Sequence, residues 1–338
     1  TVETLTNARW IRRWMQQSGL SHDVIHDRFF AVTANQAAAQ RFGIEASRIL
    51  PIWDWVGGRF SIWSAVSLSV AMAIGMPCFR ELLAGAHAMD LHFQHASWSS
   101  NMPVIMGLLA VWYGNACQAP TQAVVGYSEY LLHFTDYLQQ LHMESLGKRV
   151  SSQGEELPYS TGRIVWGGVG TNTQHSFHQL LLQGSHLVPV DFILPMHQVS
   201  GQRNDDLIAN CLAQAEVLWN GSSNEDGLRR ADVGGLSTVE SECLRAHQVI
   251  PGRCPSTLLL LDQLSPCRLG ALIALYEHSV FVSSVIWNIN AFDQWGVEAG
   301  KVMANQIAQS LKTGEISQVT DPVTRSLLLK YGEKVETP

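Results

Sequence analysis

Leu187-Val188-Pro189-Val190-Asp191-Phe192-Ile193 is a short β-branched, apolar run with longer helical stretches on either side. The alternation recurs outward from it. Ala123-Val124-Val125, Arg163-Ile164-Val165-Trp166 and Thr257 to Leu261 read as further strands; Met102 to Gly114, Ser128 to Met143, Thr173 to Gln183, Asp205 to Trp219 and Leu269 to Trp287 read as helices. Short strands alternating with longer helices are the sequence sign of a parallel sheet covered by helices. Asp205 and Asp206 suit a helix start, because carboxylates are favoured at the positive end of the helix dipole. The expected fold class is α/β, a doubly wound parallel sheet with flanking helices over residues 95–290.

Residues 1–75 hold helices and the string Gly57-Gly58-Arg59, with too few strands for a sheet of their own, and read as the tail of a preceding domain. Residues 76–94 then form a connecting segment, and 291–338 a helical tail that carries Gln294 and Lys301 and has a helix over Val323 to Tyr331. The polar segments Ser151 to Glu156 and Gly221 to Gly235 read as surface loops.

A chain of 338 residues, 46% hydrophobic and 15% charged, describes a well-buried globular protein. Its net charge of −7 offers no basic footprint for nucleic acid, and any anionic ligand needs locally placed cations, for which Arg59 and Lys301 are candidates. The six cysteines are scattered without metal-site spacing, so neither a metal centre nor a disulfide framework is expected, and a reducing, cytoplasmic location fits best. The opening Thr1-Val2-Glu3-Thr4 lacks the charged start and apolar stretch of a secretory signal. The most apolar run, Ile62 to Met76, is too short to span a bilayer and reads as a buried helix, so no membrane partner is expected.

Four segments carry the residues suited to chemistry: Asp54-Trp55-Val56-Gly57-Gly58-Arg59-Phe60-Ser61, Gln140-Leu141-His142-Met143-Glu144-Ser145, Gly170-Thr171-Asn172-Thr173-Gln174-His175-Ser176-Phe177, and Phe292-Asp293-Gln294-Trp295-Gly296-Val297-Glu298-Ala299-Gly300-Lys301. Read singly, Glu144 is a solvated helix-end carboxylate, Arg59 a structural cation whose two glycines permit a tight backbone path, His175 a histidine at a helix start and Lys301 a solvated helix lysine. Gly168-x-Gly170 after a strand invites comparison with a dinucleotide fingerprint. The third glycine would fall at Thr173 and the acidic partner at Asp191 inside a strand, which argues against it.

Taken together and in this order, the four segments resemble the phosphoglucose isomerase family, whose fold is the doubly wound sugar-isomerase fold. The resemblance implies interconversion of glucose 6-phosphate and fructose 6-phosphate through ring opening and an enediolate, with no metal or organic cofactor. It implies that Glu144 moves a proton between C1 and C2, that Arg59 stabilises the negative enediolate, and that His175 and Lys301 assist ring opening. A carboxylate suits the first role because partial burial can bring its pKa towards working pH, and a permanently charged guanidinium suits the second. Gln140, Gln294 and Thr1 match substrate-contact positions, and Glu3 matches a position that orients the histidine. The family is a homodimer in which that histidine crosses to the neighbouring site. The chain departs from many members at Gly168 and Val169, where they carry Glu and Pro. Thr1 matches the last threonine of the family's phosphate loop, so the resemblance covers the C-terminal part of the family's chain and implies impaired turnover for these residues alone. A non-catalytic sugar-phosphate-binding or scaffold role of the same fold is the alternative. A bifunctional mannose- or glucose-phosphate isomerase would lack the first and last strings in this form.

Overall fold

Six strands form two parallel sheets in the computed structural model, which describes residues 2–222 and 238–332. β1 (Ala31–Thr33) pairs with β2 (Ile49–Pro51). β3 (Thr121–Gly126), β4 (Ile164–Val169), β5 (Val190–His197) and β6 (Ser256–Gln263) form the main sheet in the order β4-β3-β5-β6. The chain steps from β3 to β4 on one side, then crosses to β5 on the other and continues to β6. The sheet is therefore doubly wound, with its switch point between β3 and β5. These two central strands are near-continuously apolar because helices cover both of their faces. Val125, Val190, Phe192, Ile193 and Leu194 are fully buried, whereas Leu260 on edge strand β6 is exposed.

The helix Pro266–Ile286 is long and apolar enough to cross a bilayer by length and composition. Its apolar surface faces the core instead: Leu272, Ile273, Leu275, Tyr276 and Val280 are buried. It lies against the helix Met76–His95 with the two backbones in direct contact. A Cβ on Gly85 would stand 1.7 Å from the carbonyl oxygen of Cys267, and one on Gly270 1.9 Å from that of Leu82. The contact is extended by a hydrogen bond of 2.7 Å between His278 Nε2 and Asp90 Oδ1 and by stacking of His278 on Phe93. The expected connecting segment, residues 76–94, falls within the 20-residue helix Met76–His95.

Three expectations need correction. Residues 1–75 do contain a sheet, but its strands are three residues each, too short to show an alternation in sequence. Ile62 to Met76 is not one buried helix. It comprises two 3₁₀ turns, Gly58–Trp63 and Ala65–Ser67, then the helix Leu68–Ile74, and Val70, Met72, Ile74 and Met76 are exposed. Ser64 interrupts it by accepting the Val66 N–H, and Gly75 ends it at φ +81°. Thr173 to Gln183 is broken into the helices Gly170–Gln174 and His178–Gln183, so His175 closes the first and does not open the second.

The chain divides into two compact units, Thr1–Ile289 and Asn290–Pro338. The second holds the helices Trp295–Thr313 and Pro322–Gly332, the first of them stopped by Gly314 in the left-handed region. Thr1, and the loop Gly221 to Gly235 beyond Ser222, lie outside the described residues.

Candidate functional site

Arg59 lies in the 3₁₀ turn Gly58–Trp63, closed by Phe60 N–H to the Gly57 carbonyl at 3.0 Å and by Ser61 Oγ to the Gly58 carbonyl at 2.7 Å. A Cβ on Gly57 would meet nothing within 4 Å, and one on Gly58 only Gln140 Nε2 at 3.9 Å. Arg59 is only 3% exposed, which for a permanent charge requires partners. Its Nε–H donates to Ser145 Oγ at 2.7 Å, and Nη1 lies 3.4 Å from Glu144 Oε2.

Glu144 and Gln140 share the wide π-helical turn Gln140–Glu144 that follows the helix Phe134–Gln139. Such turns recur at functional sites because the extra residue per turn re-aims side chains. Here Leu141 and His142 are buried on one face while Gln140 Nε2 donates to Glu144 Oε2 at 2.9 Å on the other. Both contacts to the carboxylate fall on Oε2, and neither uses Oε1. The result is a half-buried carboxylate held by a buried cation and an amide, with Gly58 facing it across Gln140.

Beneath this turn lies a buried polar network. Gln122 Nε2 donates to Asp191 Oδ2 at 2.5 Å, Tyr276 OH donates to the same oxygen at 3.0 Å, and Arg163 Nη2 donates to Gln122 Oε1 at 2.5 Å. Burial pushes the Asp191 carboxyl up to about 6, against the opposing pull of Arg163 and its hydrogen bonds. Burial, with Arg163 adding to it, drives His142 down to about 3 and keeps it neutral. The His142 ring meets Tyr276 edge-on at 5.8 Å.

The turn sits at the edge where the sheet begins. Lys148 N–H donates to Thr161 Oγ1 at 3.2 Å, Leu146 and Gly147 lie against Gly162, and β4 starts at Ile164. His175 follows the far end of β4, so a strand of six residues, about 20 Å, separates the two edges. Within one chain the structure joins Arg59, Gln140 and Glu144 and leaves His175 exposed at the opposite edge. At that edge Tyr127, Ser128, Thr171, His197 and Asn204 line a cavity of about 380 Å³. Glu3 is exposed in the first turn of the helix Val2–Gln17. Gln294 and Lys301 belong to the second unit. Gln294 caps its first helix with non-helical backbone, and Lys301 pairs with Glu298 at 2.7 Å. Thr1 lies outside the described residues. Among the described residues no group of three His, Cys, Asp or Glu is placed to hold a metal ion.

Sequence reasoning missed Ser145, the partner of the Arg59 Nε–H, because a serine in a turn carries no signal of its own. It also passed over Glu277, although a carboxylate inside the apolar helix Pro266–Ile286 is such a signal. Glu277 accepts from Trp63 Nε1 at 2.8 Å and from Tyr137 OH at 3.4 Å.

The family model for phosphoglucose isomerase matches residues 1–328. Among curated relatives, a glucose-6-phosphate isomerase of Shewanella baltica is 48% identical over 334 residues, covering 98% of this chain and 61% of the relative. One from Ectopseudomonas mendocina is 49% identical over 330 residues, covering 97% and 60%. The chain therefore spans about 60% of the length of the curated relatives it matches. A crystal structure of a glucose-6-phosphate isomerase from Chlamydia trachomatis superposes with a TM-score of 0.81 at 35% identity, covering 98% of this chain and 60% of that one. A hypothetical protein from Thermus thermophilus, 24% identical with a TM-score of 0.68 over 90% of this chain and 68% of that one, shares the fold.

Proposed function

Because the chain belongs to the phosphoglucose isomerase family, we propose that it carries the proton-transfer machinery of an enzyme interconverting glucose 6-phosphate and fructose 6-phosphate, a step of glycolysis and gluconeogenesis. The observation that carries this reading is the Arg59–Glu144–Gln140 cluster: a carboxylate with one oxygen outside its two contacts, set against a buried guanidinium. On this reading Glu144 takes the proton from C2 of the open-chain aldose while the C1 carbonyl oxygen gathers the negative charge of an enediolate. A proton passes from the C2 hydroxyl to the C1 oxygen, and returning the carbon-bound proton to C1 then leaves a hydroxyl on C1 and the ketone at C2. Arg59 stabilises the charge as it develops, and being permanently protonated it does not compete for the moving proton. The chemistry calls for no metal or organic cofactor.

His175 and Lys301 then serve ring opening, Gln140, Gln294 and Thr1 contact the substrate, and Glu3 orients the histidine. The exposed position of His175, across the sheet from Glu144, fits a homodimer in which each His175 completes the site of the partner subunit. Residues 1–75 represent the end of the first sugar-isomerase domain, 76–94 the connection, 95–290 the second domain and 291–338 the tail. The matched residues correspond on this reading to the C-terminal part of the family's chain. A cytoplasmic location suits cysteines that are all unpaired.

The test is a coupled assay with fructose 6-phosphate on the 338 residues alone and joined behind the preceding segment of the Shewanella baltica relative. The expected result is turnover by the joined chain and little or none by the residues alone, since remote phosphate contacts orient the reacting carbons. No turnover by the joined chain overturns the reading. Mixing Glu144→Gln with His175→Ala subunits of that chain tests the dimer: mixed dimers hold one site free of both changes and regain activity, and an active monomer contradicts it.

A further inference from the structure

Arg59 and Glu144 come from segments far apart in sequence, and their pairing brings Nη1 to 3.4 Å from Oε2. Both segments are tied to one residue that lies outside the cluster. The turn bearing Arg59 ends at Trp63, whose Nε1–H donates to Glu277 Oε2 at 2.8 Å. The helix leading into Gln140 and Glu144 carries Tyr137, whose hydroxyl donates to the other oxygen, Oε1, at 3.4 Å. Glu277 thus presents one carboxylate oxygen to each half of the site. We propose that Glu277 is a positioning residue that clamps the Arg59 turn and the Glu144 helix into register on the central helix Pro266–Ile286.

Neighbouring contacts make the clamp rigid. Tyr276, the preceding residue, holds the segment at two further points, Phe134 on that helix at 5.7 Å and His142 in the turn after it at 5.8 Å between ring centroids. His278, the following residue, is fixed by Asp90 at 2.7 Å and by stacking on Phe93 at 4.4 Å. Glu277 therefore stands on a stretch of helix locked on both sides, and geometry set there passes directly to Trp63 and Tyr137. Burial raises its carboxyl to about 7, so the two donors face a group whose charge is costly to desolvate and which their hydrogen bonds help to hold. The proposal rests on Arg59 and Glu144 forming the reacting pair.

The experiment measures amide hydrogen exchange by mass spectrometry on the 338-residue chain, for wild type, Glu277→Gln, Glu277→Ala and the core control Val280→Ala on the same helix. Glu277→Ala should speed exchange by about tenfold in both 58–64 and 137–145 while leaving β3 and β5 within about threefold. Glu277→Gln, which keeps an acceptor for Trp63, should stay within about threefold of wild type in both segments. Should Glu277→Ala not fold, Trp63→Phe keeps the ring and deletes the donor, and should raise exchange in 58–64 alone. In a chain that turns over fructose 6-phosphate, Glu277→Ala should lower kcat by about tenfold or more with KM within about threefold. Unchanged exchange in either segment, equal opening by Val280→Ala, or protection of 58–64 in Trp63→Phe overturns the clamp. Exchange requires no turnover, so an inactive joined chain together with the predicted exchange would reject the isomerase reading and leave the clamp standing.

Discussion

The two edges of the main sheet differ in kind. Where the strands begin, Gln122, Arg163, Asp191 and Tyr276 form a buried, mutually bonded network under the turn that presents Glu144 to Arg59. Where they end, Tyr127, Ser128, Thr171 and His197 line an open cavity of about 380 Å³ at the switch point between β3 and β5. In open α/β sheets the second place is where ligands are expected. Yet the pairing of a buried permanent cation with a carboxylate occurs at the first. A fold narrows where to look, and the side chains assign the chemistry.

The sharpest way to break this contrast is to alter one titratable residue at each edge of a chain that turns over. Glu144→Gln should lower kcat by about 10³-fold or more with KM changed only a few-fold, while His197→Gln stays within about twofold of wild type. Steady-state kinetics on both decides it, and a larger loss from His197→Gln would move the site to the cavity.

A smaller effect concerns stability. Arg163→Met strips a buried cation from the network and leaves Asp191 without its opposing charge, an expected loss of about 3–5 kcal/mol. Ser128→Ala at the other edge should stay within about 0.5 kcal/mol. Denaturant midpoints at neutral pH check both, and equal costs would mean the two edges are not built differently.

Glu277 gives the next effect, with a definite sign. Its folded pKa of about 7 lies above the ordinary value of 4.5, raised by burial and further by Asp90, and held down by Trp63 and Tyr137. The folded state therefore binds the proton more tightly than the unfolded chain does. The stabilisation is fully present below pH 4.5 and is lost as pH rises through about 7. Against Glu277→Gln, which cannot titrate, wild type should lose on the order of 2–3 kcal/mol of relative stability between pH 4.5 and 7.5. A pH-independent difference between the two proteins contradicts the assignment. Smallest of the four, Ser145→Ala removes the acceptor of the Arg59 Nε–H and should cost about 1–2 kcal/mol, with kcat falling more than KM rises. Unchanged kinetics would show that this bond does not align the guanidinium.

The main sheet was legible because each of its strands carries an apolar run bracketed by helical stretches, from Ala123-Val124-Val125 to Thr257 through Leu261. β1 and β2 were not, since three residues cannot display a period. The segment 76–94 shows no strand pattern in sequence, and its helix, Met76–His95, depends on Gly85 for backbone contact with Cys267, which a sequence does not display. Ile62 to Met76 misled in the other direction: its composition is that of a core helix, but Ser64 and Gly75 cut it and leave its apolar side chains exposed. In the site, Arg59, Gln140 and Glu144 were found from their strings and do come together. Ser145 and Trp63 are not legible, because a hydrogen bond across the fold leaves no local pattern in the chain, and Glu277 shows only as a carboxylate within an apolar stretch.

The central claim is that Glu144, facing Arg59, moves the proton between the two carbons. It is tested most directly by running the joined chain in D₂O with fructose 6-phosphate and following deuterium at the sugar carbons by NMR. A base that picks up and returns the proton exchanges it with solvent in part of the turnovers. Wild type should therefore place deuterium on the transferred position, and Glu144→Gln should lose labelling and isomerisation together. Labelling by Glu144→Gln at the wild-type rate would contradict the account.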